Sequence, residues 1–167
     1  MESTSGQRAE LIDGQFFDIA PPSRIHQKIL MELAGTLREY IKNHNGSCEV
    51  YPAPFAVNLD ADDRKWVEPD ISVICDKSKL TERGCAGTPD FIIEIVSPSS
   101  RRMDCNIKNG LYAFAGVREY WIVDPEKKRT TVYRYEEDAA PTIYIFSQTV
   151  PMGIFKGMSV VISDLLD

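Results

Sequence analysis

The chain has 167 residues, 43% hydrophobic and 26% charged, with a formal net charge of -6. That length suits one domain able to bury roughly 70% of its unfolded surface, and no apolar run approaches the ~20 residues of a membrane span. The acidic balance argues against a protein held on nucleic acid by bulk electrostatics, because phosphate neutralisation normally demands a basic face. A single domain over residues 1–167 is therefore expected, with residues 1–9 flexible. The polar start Met1 to Glu10 shows no secretion signal. Cys48, Cys75, Cys85 and Cys105 show no CxxC spacing, so reduced thiols in a cytoplasm are expected rather than a zinc site or a disulfide framework. The local basic groups, Arg24 with Lys28, Arg101 with Arg102, and Lys127-Lys128-Arg129, read as solvated surface.

In chain order, Glu10 to Ile19 predicts a hairpin turned at Asp13-Gly14, a dipeptide that tolerates positive φ. Ser23 can cap a helix running to about Asn43, in which Ile25, Ile29, Leu33, Leu37 and Ile41 recur every four residues until Asn45-Gly46 stops them. Glu49 to Leu59 reads as one extended segment, and Asp60 to Asp63 turns it into a second strand carrying Trp66 and Asp70 to Ile74; the two are expected to pair antiparallel. Thr81 to Thr88 reads as a loop before a central strand, Asp90 to Val96. Ser97-Pro98-Ser99-Ser100 ends that strand and offers caps for a helix from about Arg102 to Ala115, stopped by Gly116. Further strands follow at Glu119–Asp124, Thr131–Tyr135 and Ile143–Phe146, with a short one around Val160–Ile162. The order predicts an α/β (α+β) fold, a sheet with helices on its faces.

The central strand contains a contradiction. Phe91-Ile92-Ile93-Glu94-Ile95-Val96 reads as fully buried except for Glu94, and an uncompensated buried charge costs several kcal/mol, a large share of a domain's stability. A metal or a cation would offset it. Asp70, in Glu68-Pro69-Asp70, and Lys108, on the following helix, complete a set of two acids and a lysine. The alternative is structural: Asp70 caps a turn, Glu94 sits in an ion pair, and Lys108 pairs with Asp104 at i, i+4 for about 0.3–0.5 kcal/mol.

Pro69-Asp70, Glu94-Ile95-Val96-Ser97-Pro98-Ser99 and Glu119 to Pro125, together with Glu10-Leu11-Ile12-Asp13-Gly14, Pro21-Pro22-Ser23 with His26, and Pro54-Phe55, resemble the Uma-two family of proposed endonucleases. That family lies within the restriction-endonuclease-like PD-(D/E)xK nuclease superfamily. The resemblance implies a restriction-endonuclease-like core, a central mixed sheet flanked by helices, with extra C-terminal strands here. It implies magnesium or manganese held by Asp70, Glu94 and the backbone carbonyl of Ile95. Val96 stands where the motif lysine belongs, and Lys108 takes its place as in the family's own arrangement. Catalysis would rest on Asp70, Glu94 and Lys108. Magnesium takes oxygen ligands and keeps several waters, a bound metal acidifies its water, and burial can lower a lysine's pKa toward general-base use.

Asp90 also follows a proline, but four strand residues at ~3.3 Å each place it roughly 13 Å from Glu94, too far for one metal. His26, Glu32 and Tyr112 are possible supporting residues. Trp121 and the tyrosines of the C-terminal strands read as core or dimer interface. Two functions remain open: a metal-dependent nuclease cutting phosphodiester bonds, expected in DNA and as a homodimer, or an inactive domain of that fold that binds nucleic acid or a protein partner.

Overall fold

The Asp13-Gly14 turn forms with both residues at positive φ, 48° and 81°, and joins β1 (Ala9–Ile12) to β2 (Gln15–Asp18). The computed structural model describes residues 8–61 and 63–167. Of the start expected to be flexible, residues 1–7 lie outside the described residues, whereas Ala9 opens β1 and is buried. Helix α1 runs Arg24–Asn43, with Ser23 Oγ accepting the His26 backbone N–H at 3.2 Å. Its buried stripe, Ile29, Leu30, Leu33, Ala34, Leu37 and Ile41, is the one the four-residue recurrence predicts.

Prolines break both of the next two expected strands. Glu49 to Leu59 divides into β3 (Glu49–Pro52) and β4 (Val57–Asn58), and its partner into β5 (Lys65–Val67) and β6 (Ile71–Ile74). The antiparallel pairing expected of them holds on both sides of the break, β3 with β6 and β4 with β5. Pro52 and Pro54 on one strand and Pro69 on the other lack ladder donors. The ribbon therefore leaves one sheet for another there, spanned by Ala53 N–H donating to the Asp70 carbonyl at 2.8 Å.

The segment expected as a loop over Thr81–Thr88 instead carries β7 (Leu80–Thr81) and β8 (Gly84–Ala86), which extend a six-stranded sheet ordered β2-β1-β5-β4-β8-β7. The alternation there is too short to read from sequence. The central sheet is mixed: β9 (Phe91–Ile95) pairs antiparallel with β6 and parallel with β10 (Glu119–Asp124). Strands β11 (Arg129–Arg134) and β12 (Thr142–Ile145) extend it in the order β12-β11-β10-β9-β6-β3. A small pair, β13 (Thr149–Pro151) and β14 (Ser159–Val161), closes the chain. The expected α+β fold with helices on a mixed sheet and extra C-terminal strands is what forms.

Alternation along β9 divides the core. Phe91, Ile93 and Ile95 pack with Leu33 and Leu37 of α1, while Ile92 packs on the other face with Tyr112 and Tyr120. That second face is covered by a helix that begins as a wider π-helical stretch, Met103–Lys108, before continuing as α2 (Asn109–Ala115) and ending on Gly116 at φ 91°. Trp121 is fully buried, so of the core and dimer-interface roles open to it, it takes the core. Cys48 and Cys75 are disulfide-bonded, against the expectation of reduced thiols. They extend the β3–β6 ladder by one position beyond the Glu49–Ile74 pair, a juxtaposition that sequence spacing cannot reveal.

Gly84 lies at φ +131° and a Cβ there would meet the Ala56 carbonyl oxygen at 2.0 Å. Gly84→Ala is expected to destabilise the protein by more than ~2 kcal/mol. Gly110→Ala, within α2 and facing open space, should stabilise it by about 0.5 kcal/mol. Urea melts of the two variants check the contrast; equal midpoints would refute it.

Candidate active site

Four chain segments bring polar groups to one end of β9. Asp70, at the entrance of β6, is bonded in both directions to the end of β9, to Ile95 by its carboxylate and to Glu94 by its backbone N–H. The Ile95 N–H donates to Asp70 Oδ2 at 2.7 Å, and the Asp70 N–H donates to Glu94 Oε2 at 3.3 Å. Asp70 is thus not a local turn cap, because its carboxylate reads the neighbouring strand. His26, in the first turn of α1, places Nε2 3.0 Å from the same Asp70 oxygen, and its Nδ1 is buried with no partner among the described residues.

On the other side of Glu94, Oε1 accepts from Lys108 Nζ at 2.9 Å and from the Tyr112 hydroxyl at 2.8 Å. Lys108 Nζ also lies 2.9 Å from Glu10 Oε1 and 3.4 Å from Asp104 Oδ1. Glu10, Glu94, Asp104 and Lys108 are all buried, none above 5% exposed. The π-helical turn matters here, since it carries both Asp104 and Lys108, and such wide turns recur at functional sites. Glu10 reaches across from β1 and also accepts the Glu68 N–H at 2.8 Å, which ties it to the loop that presents Asp70.

Three carboxylates therefore share one ammonium. Burial pushes the Glu94 carboxyl pKa well up; Lys108 opposes the shift, while Asp104, Asp70 and Glu10 add to it. Asp104 is raised by burial too, against the pull of Lys108 and Ser100. For Lys108 burial acts downward, but Glu10, Glu94 and Asp104 outweigh it and hold the ammonium well above its usual range. The expectation that burial turns Lys108 toward a general base is thereby reversed: in this arrangement it is a fixed positive charge. Burial also raises Tyr112 far above the usual phenol range, so its hydroxyl stays a donor.

Glu10, His26, Asp70, Glu94, Asp104 and Lys108 line a cleft of about 470 Å³ that also takes in Arg8, Phe17, Pro21, Pro22, Pro54 and Ser97, with Tyr112 behind it. Among the described residues no three His, Cys, Asp or Glu side chains stand together as a ready metal cluster. The donor chemistry nevertheless fits a hard cation. Asp70 and Glu94 are adjacent oxygen donors at the cleft, and magnesium needs only one or two carboxylates because it keeps its waters.

Of the predicted site residues, Asp70, Glu94, Ile95, Lys108, Tyr112 and His26 are brought together. Glu32 is not: it is exposed, off the buried stripe of α1, and absent from the cleft. Asp90 is held elsewhere, accepting the Cys75 N–H at 2.8 Å and lying 3.4 Å from Arg118. The ion pairs of the structural reading exist, Lys108 with Glu94 and with Asp104, but they coexist with Asp70 beside Glu94, which that reading did not contain. Glu10 was missed. On a hairpin strand an acid reads as the solvent-facing half of the alternation, and only its inversion, Glu10 buried and Leu11 less so, gives it away. Val96 packs on the same face as Tyr112, the face toward which Glu94 points.

The architecture is shared with a crystal structure from Anabaena variabilis ATCC 29413, described as a putative nuclease belonging to DUF820, which superposes with a TM-score of 0.78 at 21% identity. It covers 99% of this chain and 92% of that one. The family model described as "Putative restriction endonuclease", Uma2, matches residues 1–158, and the chain belongs to that family. Two relatives from Synechocystis sp. (strain ATCC 27184 / PCC 6803 / Kazusa) carry the description uncharacterized. One, slr1290, is 23% identical over 138 residues, spanning 82% of this chain and 71% of the relative. The other, sll1609, is 25% identical over 126 residues, 74% of this chain and 70% of the relative.

Because the Glu94 pKa is raised on folding, the folded state holds that proton more tightly than the unfolded one. Stability is then greatest at or below the ordinary value of 4.5 and falls as pH rises through the raised value. As pH rises above that ordinary value, the metal-free protein is expected to lose the share of stability that the raised Glu94 carboxyl contributes, and Glu94→Gln to lose less and be at least as stable once that share is lost. Lys108→Met, which leaves three acids facing one another, should lose about 3–5 kcal/mol at neutral pH. Denaturant melts in EDTA test both signs; a large loss for Glu94→Gln would mark Glu94 as a purely structural partner.

Proposed function

We propose that this protein is a metal-dependent nuclease hydrolysing phosphodiester bonds in DNA, with Asp70, Glu94 and the Ile95 carbonyl holding magnesium or manganese. The observation that supports it best is the tie between two strands at a cleft, Asp70 accepting from the Ile95 N–H and donating its own N–H to Glu94, with a buried lysine on the far side of Glu94. Family membership points to the same reaction class. When bound, the metal supplies an acidified water and neutralises charge growing on the phosphate oxygens.

The chain's own residues prepare that site. The Ile95 N–H and His26 hold Asp70 Oδ2 in place, leaving Oδ1 with no hydrogen-bond partner among the described residues. The Tyr112 hydroxyl and Lys108 fix Glu94 Oε1, so its other oxygen is turned toward Asp70. Lys108 contributes a positive charge that Glu10 and Asp104 orient, a role in electrostatic stabilisation rather than proton abstraction. An inactive domain of this fold would have no use for two acids presented side by side at a cleft.

A C2 homodimer belongs to the same reading, since closed twofold symmetry is the commonest assembly. Ile143 and Ile145, at 54% and 56% exposed on the outer strand β12, supply the apolar surface. The edge itself does not, because Gln148 already occupies both the N–H and the carbonyl of Ile145.

Magnesium or manganese is expected to raise the melting temperature of the wild type and not of Asp70→Asn, since it binds only the folded site. Of the two proteins, only the wild type should cleave DNA in magnesium. Identical melting responses would remove the metal from this site, and a metal response without cleavage of any DNA would favour the inactive domain. Light scattering at micromolar concentration should give a dimer that Ile143→Lys with Ile145→Lys converts to monomer; a wild-type monomer would refute the pairing.

A further inference from the structure

The cleft has two unlike walls. One carries Asp70 and Glu94. The other is apolar: β1–β2 register sets Phe17 opposite Glu10, on the same face of the hairpin, so its ring borders the carboxylate cluster. Ile19, Pro21 and Pro22 continue that wall along the chain, and Pro54 adds to it from beyond β3; the exposed Asp18, between Phe17 and Ile19, is the one charged side chain of this stretch and adds to the charge that disfavours a grip on phosphates. Phe17 and Ile19 are half-buried and the three prolines exposed.

Among the described residues, the Lys and Arg side chains that line the cleft are Arg8 and Lys108, and both are engaged. Arg8 is paired with Glu68, and Lys108 with Glu10, Glu94 and Asp104. A surface that grips duplex DNA normally neutralises about 6–10 phosphates with Lys and Arg, and this lining offers no uncommitted positive side chain for that purpose. Stacking of bases on an aromatic ring needs no charge, and every base has a face that can stack. A cleft of about 470 Å³ takes a group the size of one unpaired nucleotide, which a paired base cannot supply without leaving its helix.

Resting on the nuclease reading above, we propose that Phe17, Ile19, Pro21, Pro22 and Pro54 form a nucleobase seat, and that the substrate is single-stranded at the phosphate to be cut. Phe17 is the stacking platform and the prolines its rigid border. The strand is held mainly by its bases, with its phosphate delivered to the opposite wall.

The test is fluorescence anisotropy with a labelled 12-nucleotide single strand and a hairpin duplex, in buffer with calcium as the hard cation. The single strand should bind at least about tenfold tighter than the duplex, with a log–log salt slope no steeper than about -2. Phe17→Leu, which keeps the apolar volume but loses the ring, should weaken single-strand binding about tenfold, and Phe17→Tyr should keep it within about twofold. Equal or tighter duplex binding, no binding of either probe, or indifference to Phe17→Leu in a variant with wild-type melting overturns the seat. Cleavage in magnesium separates the two claims. Duplex cut as fast as single strand removes the seat and keeps the nuclease, whereas single strands bound as expected but never cut remove the nuclease and keep the seat.

Discussion

The excess of negative charge around Lys108 is the constraint on which the rest of the site depends. Glu10, Glu94 and Asp104 all lie within 3.4 Å of one ammonium in a dry environment. A carboxylate desolvated to that degree is tolerated only with close, well-aligned partners, so each member dictates where its own segment must sit. Glu10 pins β1, Asp104 and Lys108 pin the π-helical turn, Tyr112 pins α2, and Glu94 anchors all of them to the middle of the central sheet. Removing the lysine would leave like charges facing one another, whereas removing one acid brings the cluster nearer to balance. The asymmetry follows from counting charges, not from any single bond.

The proline breaks serve the same end. A continuous β3–β4 strand paired with a continuous β5–β6 strand would run past the end of β9 and close it off. With Pro52, Pro54 and Pro69 interrupting the ladders, the ribbon passes from the central sheet to the second sheet at the level of Asp70. The gap between the sheets is the cleft. Asp70 thus owes its exposure at the cleft, and its reach to the Ile95 N–H, to a neighbour that cannot donate a hydrogen bond.

How far the site was legible in the sequence depended on the kind of signal. Glu94 announced itself because a charge inside a run of β-branched residues has no bland explanation, and Asp70 followed from its place at the head of another apolar strand. Helix α1 was legible for the same reason, a period of four sustained over five residues. What stayed hidden were features set by non-local pairing. The second sheet is made of strands two to four residues long, too short for alternation to register. Glu10 sits in one of them and looks like an ordinary surface acid until β1 is folded against the π-helical turn. The Cys48–Cys75 bond depends on the β3–β6 register, which no spacing rule contains. Lys108 was placed correctly, yet its electrostatic state was not, because that state is decided by three acids from three segments.

This imbalance bears on why a site of this kind keeps more acids than its lysine can neutralise. A site fully balanced without metal would be more stable, but a cation entering it would add an uncompensated positive charge and would have to displace existing pairs. Here Glu94 is divided between Lys108 and Asp70, with burial and its acidic neighbours disfavouring its ionised form. On the proposed reading, a divalent ion beside Glu94 relieves that repulsion, and Lys108 keeps Glu10 and Asp104 as partners whatever Glu94 does. The second pair of acids lets the first be reassigned without stranding the lysine. On that same reading, stability given up in the metal-free protein would be returned as affinity for the metal, and the buried charge of β9 would be compensated in that sense.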